Sequence, residues 1–306
     1  MSLTSFIKKN DVKAKLKPLR PQLSRKIAAP LKVEPKSKRF GMVGTAFDYL
    51  LRFELQRRAP HTVTKLWVAE HVPDLIWKGT ETNGGGLLLL DGLEIGDNLL
   101  RYNRAAIKIA DRAREIVEVA KAAVAAYRNF RTPNRSQQAE LAAHAIRLAK
   151  LDVVFRAHKF DLTFEKAEPE DVEDLLTLLE IAPFDKLIHN KNVFLNPTFG
   201  ETSKLVGGAD ADLITGDILV DLKTITKSEM GADDLDQLFG YYLLACRERQ
   251  TDPTFPEIKR LAFYFSRHGY LWIENAKTWT DHPQFAEVEK WFFQRAKEEP
   301  GNPKKS

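Results

Sequence analysis

The sequence predicts an α/β fold, and three features of the 306-residue chain support that prediction. A stretch from Lys204 to Thr226 has the pattern of a β-hairpin, and a helical pattern follows it. Two more strand-like runs lie between Ile258 and Asn275. The middle of the chain, from about residue 97 to 190, is largely helical in pattern and rich in alanine. We therefore expect a sheet flanked by helices, with a helical insertion.

The composition indicates a cytoplasmic protein. Hydrophobic residues make up 43% of the chain, which is enough for a substantial core. The longest apolar run, around Leu87–Leu90, is far shorter than the roughly 18 residues of a membrane helix. The first residues lack the apolar region of a signal peptide. The single cysteine, Cys246, is interpreted as a reduced core residue, so neither a membrane partner nor a disulfide is expected.

The basic excess is concentrated near the N-terminus, although the net charge of the whole chain is only +5. Twelve Lys and Arg residues lie between Lys8 and Arg39, against Asp11 and Glu34. Four prolines between residues 18 and 35 exclude a long helix, so residues 1–40 are predicted to be an extended or partly ordered arm. A solvated arm and an arm that contacts phosphate are the two interpretations.

The hairpin has a register that the turn dictates. Gly216-Asp217 is a two-residue turn signal, with glycine able to adopt the left-handed conformation. In that register Asp212 faces Asp221 and Asp210 faces Lys223. Because strand side chains alternate between faces, these four lie on one side of the ribbon, and the apolar side chains lie on the other: Leu213, Val220 and Leu222.

The charged side of this hairpin predicts a metal site. Carboxylates opposite one another on a ladder repel and need a counter-charge. Mg²⁺ would supply it, since it prefers oxygen ligands and takes only one or two carboxylates from a protein. A solvated strand face with an Asp–Lys pair is the alternative interpretation.

The hairpin and the helix after it resemble a known family. A strand acid followed by Asp221-Leu222-Lys223-Thr224 resembles the DxKT of the PD-(D/E)XK nuclease superfamily. In DQLFGYYLLA, Gln237 and Tyr241 have the QxxxY spacing of the branch that includes RecB and lambda exonuclease. Four residues apart, they share one face of a helix. The family's proline is absent, since Ala211 precedes Asp212.

The resemblance implies a restriction-endonuclease-like core with a central mixed β-sheet flanked by helices. It implies Mg²⁺ or Mn²⁺ as cofactor, and Asp212, Asp221 and Leu222 as metal ligands. Lys223 would activate water or neutralise charge on a phosphoryl oxygen, and Gln237 and Tyr241 would lie beside the metal and the nucleic-acid backbone. The predicted domains are the arm at 1–40, a nuclease-like domain at 41–300 with the insertion at about 97–190, and a tail at 301–306.

An earlier helix offers one more metal-facing acid. In the RecB-like branch a GTxxH helix precedes the hairpin, and Asp48 occupies the place of its histidine after Gly44-Thr45. Glu54 matches the first-motif glutamate of the wider superfamily. Six residues place the two acids about 240° apart around a helix, so they cannot both face one site. We prefer Asp48, and two solvent-facing charges are the alternative.

Several other side chains are weaker candidates. Glu201, before the hairpin, is a further candidate metal-site acid. The candidate phosphate contacts are Arg52, Lys204 and Arg267, with His268 beside Arg267 interpreted as a solvated turn residue. The helical insertion is interpreted as structural, and the alternative is a wall of a nucleic-acid channel that uses Lys108, Arg112, Arg114 and Lys121.

The predicted function is metal-dependent hydrolysis of phosphodiester bonds, with DNA as the expected partner. A non-catalytic nucleic-acid-binding module that keeps the nuclease fold is the alternative from a different class. Exonuclease or endonuclease action, strandedness of the substrate and a homo-oligomeric state are left open by the sequence.

Overall fold

The computed structural model describes residues 2–22, 24–64, 67–74, 76, 99–157, 163–189 and 193–299. The chain divides into two compact units. The sheet unit comprises Met1–Lys32, His61–Lys65 and Pro183–Ser306, and the helical unit comprises Val33–Pro60 and Leu66–Ala182. The apolar run Leu87–Leu90 and the tail at 301–306 were assigned from sequence and lie outside the described residues.

A six-stranded mixed sheet forms the centre of the sheet unit in the described part of the chain. Its spatial order follows the chain: β1 (Val63–Thr64), β2 (Val193–Leu195), β3 (Leu213–Thr215), β4 (Ile218–Lys223), β5 (Arg260–Phe265) and β6 (Tyr270–Asn275). β1 and β2 are parallel, as are β4 and β5, and the other neighbours are antiparallel. The prediction of an α/β fold with a mixed sheet and flanking helices is confirmed.

The described helices lie in both units. They are α1 (Leu3–Ile7), α2 (Asn10–Leu16), α3 (Phe40–Arg58), α4 (Leu99–Tyr127), α5 (Arg135–Ala157), α6 (Pro169–Glu180), α7 (Phe184–Leu187), α8 (Gly200–Lys204), α9 (Ala232–Thr251), α10 (Lys277–Thr280) and α11 (Phe285–Lys297). Every described helix is too short or too polar to cross a membrane.

The hairpin of β3 and β4 has the predicted register. Leu213 pairs with Val220, Ile214 with Leu219 and Thr215 with Ile218. Gly216 has a φ of 61°, so glycine supplies the left-handed turn position that other residues adopt at a cost. The regular ladder extends from the turn as far as the Leu213–Val220 pair, so Asp212 and Asp221 lie just beyond its end.

The crossover from β4 to β5 determines the core of the sheet unit. Parallel neighbours need a long connection, and α9 provides it. One face of α9 is apolar, and its Leu235, Leu238 and Phe239 are buried with the apolar side chains of β5. The first turn of α9 carries Asp233 and Asp234, where the helix dipole favours acids.

The N-terminal segment is folded, which corrects the expectation of an extended or partly ordered arm. Leu3, Phe6 and Ile7 have the i, i+3, i+4 spacing that gives α1 one apolar face, and all three are buried. Val12 and Leu16 do the same for α2. The prolines follow these helices, so they limit helix length and leave the burial intact.

The basic side chains of this segment also have partners within the sheet unit. The Arg20 guanidinium donates to both oxygens of the buried Asp236 carboxylate, at 2.7 and 2.6 Å. Other ion pairs join Lys9 to Glu299, Lys13 to Asp233 and Lys15 to Glu287. Part of the basic excess therefore anchors α2 and the residues next to it, which the alternative of a purely solvated arm did not foresee.

The helical unit packs α3 against α5 and α6, and α4 against α5. The helical pattern predicted for the middle of the chain is present as α4, α5 and α6, with Glu168 as the N-cap residue of α6. α3 belongs with them, because its Phe47, Leu50 and Phe53 are fully buried. The unit therefore begins at Val33 and ends at Ala182, whereas the sequence placed the insertion at about 97–190.

Candidate functional site

Lys223, at the end of β4, is the centre of a partly buried charge cluster in the sheet unit. Its Nζ lies 2.8 Å from Oδ2 of Asp221 and 3.2 Å from Oδ1 of Asp234. It also donates to Oε1 of Gln237 at 3.1 Å. Asp221 comes from the same strand, whereas Asp234 and Gln237 come from α9, so the parallel crossover places all four side chains together.

Lys223 remains a cation throughout the neutral pH range. Burial alone would lower the pKa of its amine, but the charges of Asp221, Asp234 and Asp212 outweigh burial and raise the pKa above its usual value. A protonated amine donates hydrogen bonds and accepts none. The arrangement therefore suits stabilisation of negative charge better than removal of a proton.

Asp212 lies beside this cluster at the point where β3 leaves β4. Its Oδ2 accepts a hydrogen bond of 2.6 Å from the backbone N–H of Leu222. In the continuing register that N–H would face Ala211, but the Ala211 N–H instead donates to Pro197 on the β2 side. The side chain of Asp212 thus replaces a ladder bond, and it brings its carboxylate to the residue between Asp221 and Lys223.

The register predicts that Asp210 faces Lys223, whereas the structure places Asp234 beside the Lys223 amine. Asp210 forms an isolated backbone bridge with Thr198, and its charge helps to raise the pKa of Tyr241. The ion pairs that the structure describes for Lys223 are with Asp221 and Asp234. Sequence reasoning missed Asp234, although an acid in the first turn of the QxxxY helix, 11 residues after the lysine, was a visible signal.

Gln237 and Tyr241 lie on one face of α9, as their spacing predicts, and they continue the network from Lys223. Gln237 Nε2 donates to Tyr241 Oη at 3.2 Å and to Thr4 Oγ1 at 3.0 Å. Burial, and then the charges of Asp221 and Asp212, raise the pKa of Tyr241, so its hydroxyl stays protonated. The ring of Phe199 stacks on Tyr241 at 5.8 Å.

Asp48, Arg52 and Glu54 belong to the helical unit, where each has local partners. Arg52 donates to Oδ2 of Asp48 at 2.5 Å. Glu54 is 1% exposed and accepts from Arg57, Arg58 and Tyr127. Burial would raise the pKa of Glu54, but these three donors outweigh burial and lower it. Glu54 has the environment of a structural buried carboxylate.

The weaker candidates fall into an exposed and a buried group. Glu201 and Lys204 form an i, i+3 ion pair on α8, with 85% and 71% of their side chains exposed. Arg267 and His268 are each only 1% exposed, although His268 was interpreted as solvated. Residues 29–32 cover that turn, since Lys32 N donates to the Arg267 carbonyl and His268 Nδ1 lies 3.0 Å from the Ala29 carbonyl.

The candidate channel residues of α4 are engaged within the helical unit. Arg112 pairs with Glu115 and Glu165, and Lys121 pairs with Glu70 and Glu118. Arg114 pairs with Asp111 and Asp74, whereas Lys108 is exposed. These contacts favour the structural interpretation of the insertion.

The donor atoms at the end of the hairpin are chemically suited to a small divalent cation. Asp212 and Asp221 supply two carboxylates, and Mg²⁺ requires only one or two from a protein because water and substrate complete its shell. A group of three or more His, Cys, Asp or Glu side chains placed to hold a metal is not found among the described residues. Any ion here would therefore depend on these two acids, on the Leu222 carbonyl that the resemblance implies, and on substrate or water oxygens.

The elements of the sheet unit follow one another in the order of the DxKT and QxxxY motifs. The acidic hairpin comes first, the QxxxY helix follows, and the next strand pairs in parallel with β4. Comparisons with protein-family models, with curated proteins and with solved structures found no match to this chain.

Proposed function

We propose that the sheet unit is a Mg²⁺- or Mn²⁺-dependent nuclease that hydrolyses phosphodiester bonds, with DNA as its substrate, on a restriction-endonuclease-like core. One observation carries the proposal. The hairpin acids, Lys223 and the Gln237–Tyr241 pair meet at one place, and they come from the elements that the family motifs assign to them. Each motif alone is weak evidence. The hydrogen bonds that join residues of the two motifs in the folded chain support the proposal beyond the sequence pattern.

The roles of the side chains follow from their chemistry. Asp212 and Asp221 would hold the cation, which when bound supplies a polarised phosphoryl group and a more acidic water. Lys223, held as a cation by Asp221 and Asp234, stabilises negative charge that develops on a phosphoryl oxygen. Gln237 accepts a hydrogen bond from the Lys223 ammonium group and so helps to direct it, and the Gln237 amide nitrogen donates to the Tyr241 hydroxyl.

Cleavage assays test this function directly. Single- and double-stranded DNA, each in linear and circular form, are incubated with the protein and Mg²⁺ or Mn²⁺. We expect metal-dependent cleavage that Lys223→Ala reduces at least about 100-fold, because removing one preorganised charge has that effect in other enzymes. Lys227→Ala removes an exposed lysine from the segment after β4 and is the matched control. Equal cleavage by the wild type and Lys223→Ala would overturn the assignment.

A non-catalytic nucleic-acid-binding module is the second candidate. It is favoured by the ion pairs within the charge cluster, because they give the acids a cationic partner from the protein itself. Lys223 already forms ion pairs with Asp221 and Asp234 without any added ion. In such a module, DNA binding persists at equal strength in EDTA, and no nick appears after long incubation with Mn²⁺. That pair of results would replace the nuclease proposal.

A further inference from the structure

A contact from α1 completes the hydrogen-bond network of the candidate site. Thr4 Oγ1 accepts from Nε2 of Gln237 at 3.0 Å, although 233 positions separate the two residues in sequence. The helix that carries Thr4 is fixed in the sheet unit at other points. Leu3 N donates to the Gly208 carbonyl at 2.9 Å, and the Phe6 ring meets the Phe292 ring edge to face at 5.2 Å.

The orientation of the Gln237 amide follows from its neighbours. Lys223 can only donate, so the amide atom that faces it must be the oxygen. The nitrogen then carries two protons, and two acceptors receive them: Thr4 Oγ1 and Tyr241 Oη. A tyrosine hydroxyl can donate as well as accept, so Tyr241 alone does not determine which way the amide faces.

We infer that Thr4 is a positioning residue, whose hydroxyl keeps the oxygen of the Gln237 amide directed at Lys223. Without it, the amide can rotate so that its oxygen accepts from Tyr241 and its nitrogen faces the ammonium group. Donor would then face donor, and Lys223 would lose one of its acceptors. The effect on cleavage rests on the proposed function, whereas the effect on the amide does not.

The variants separate the hydroxyl from the helix that carries it. Thr4→Val has nearly the same shape and removes the acceptor, and Thr4→Ser keeps it. Ser5→Ala is the matched control, because Ser5 forms the α1 capping box with Ser2, and the structure describes no contact between it and Gln237. Loss of the cap weakens α1 and leaves the Thr4 hydroxyl in place.

Steady-state cleavage with saturating Mg²⁺ measures the effect. We expect kcat of Thr4→Val to fall about 3- to 10-fold, the range that the loss of one neutral hydrogen bond produces, with KM within about twofold of wild type. Thr4→Ser and Ser5→Ala should keep kcat within about twofold. A wild-type kcat for Thr4→Val, or an equal loss in all three variants, would overturn the inference.

The side-chain amide resonances of Gln237 provide a readout that needs no activity. In ¹⁵N-labelled protein, Thr4→Val should shift the two amide protons of Gln237, and Thr4→Ser should leave them close to the wild-type positions. Unchanged Gln237 resonances in Thr4→Val would overturn the positioning role, whatever the cleavage assay gives. If the wild type does not cleave DNA, the proposed function fails, and shifted resonances would still establish the contact.

Discussion

Glu54 in the helical unit and Asp221 in the sheet unit are both buried carboxylates, and the charges around them are arranged in opposite ways. In the helical unit, Glu54 accepts from Arg57 and Arg58, which lie three and four residues further along the same helix, and from Tyr127. In the sheet unit, Asp221 shares one ammonium group, that of Lys223, with Asp234. The first cluster gives one acid two cations, and the second gives one cation to two acids.

The difference separates a structural charge from a candidate functional one. Excess cations around Glu54 lower its pKa and leave the carboxylate saturated with donors. Acids around Lys223 raise the pKa of the amine, and the negative charges of Asp212 and Asp221 also raise the pKa of Tyr241. Negative potential of this kind attracts a cation, so the Lys223 cluster is the better candidate for a functional site than the Glu54 cluster.

The largest expected effect is the loss of cleavage on substitution of one acid beside the Lys223 cluster. Asp212→Asn should reduce metal-dependent cleavage at least about 100-fold, because Asp212 reaches the backbone between Asp221 and Lys223 and is expected to hold the ion. Asp210→Asn should only weaken cleavage, since Asp210 lies two residues further from the turn than Asp212. Initial rates over a Mg²⁺ series measure both, and a fully active Asp212→Asn protein would contradict the site.

The matching change in the helical unit should act on stability. Glu54→Gln leaves two guanidinium groups without their counter-charge, so we expect the free energy of unfolding to fall by about 2–4 kcal/mol. Glu118→Gln removes an exposed i, i+3 partner of Lys121 in the same unit and should change it by less than about 0.5 kcal/mol. Urea denaturation measures the free energy of unfolding of both variants. Equal losses in the two variants would show that the Glu54 carboxylate has no special role in stability.

The two clusters should also respond at opposite ends of the pH scale. Because folding lowers the pKa of Glu54 below 4.5, its stabilisation is present above that pH and is lost as pH falls through the folded-state pKa. Because folding raises the pKa of Lys223 above 10.5, its stabilisation is present below that pH and is lost as pH rises through the folded-state pKa.

Denaturation across pH measures these two dependences. The stability difference between wild type and Glu54→Gln should shrink below about pH 4.5, and that between wild type and Lys223→Met should shrink above about pH 10.5. A difference that stays constant through the acid range would mean that the pKa of Glu54 is not shifted by folding.

The smallest expected effect concerns the phosphate contacts. Lys204 is largely exposed, so Lys204→Ala should weaken DNA binding for all sequences alike and lower the slope of log affinity against log salt by about 1. Arg267 is buried, so Arg267→Met should lower stability and leave that slope unchanged. Fluorescence anisotropy in a salt series distinguishes them, and an altered slope for Arg267→Met would show that its side chain reaches DNA.

Much of the sheet unit could be predicted because its signals are local. The Gly216-Asp217 turn determined which residues pair in the hairpin, and a spacing of four placed Gln237 and Tyr241 on one helix face. The two arginine partners of Glu54 could also have been found, since they are its i+3 and i+4 neighbours.

Other features depend on residues that are distant in the chain. The burial of Arg267 and His268 requires residues 29–32, and the position of Thr4 requires α1 to pack beside α9. No periodicity within either segment contains that information, because packing between segments depends on the shape of the whole core. The prolines and lysines of the first 40 residues predicted an arm, whereas burial of Leu3 and Phe6 decided otherwise.

The sequence by itself determined the hairpin and its register, the helix that follows it and the side chains that share a strand or helix face, because these depend on dihedral preferences and on periods of 2 and 3.6 residues. Only the tertiary structure decided that Asp234 shares Lys223 with Asp221, that Asp212 replaces a ladder bond, and that Thr4 reaches Gln237. These contacts join residues up to 233 positions apart, and they form only when the elements pack around a common core.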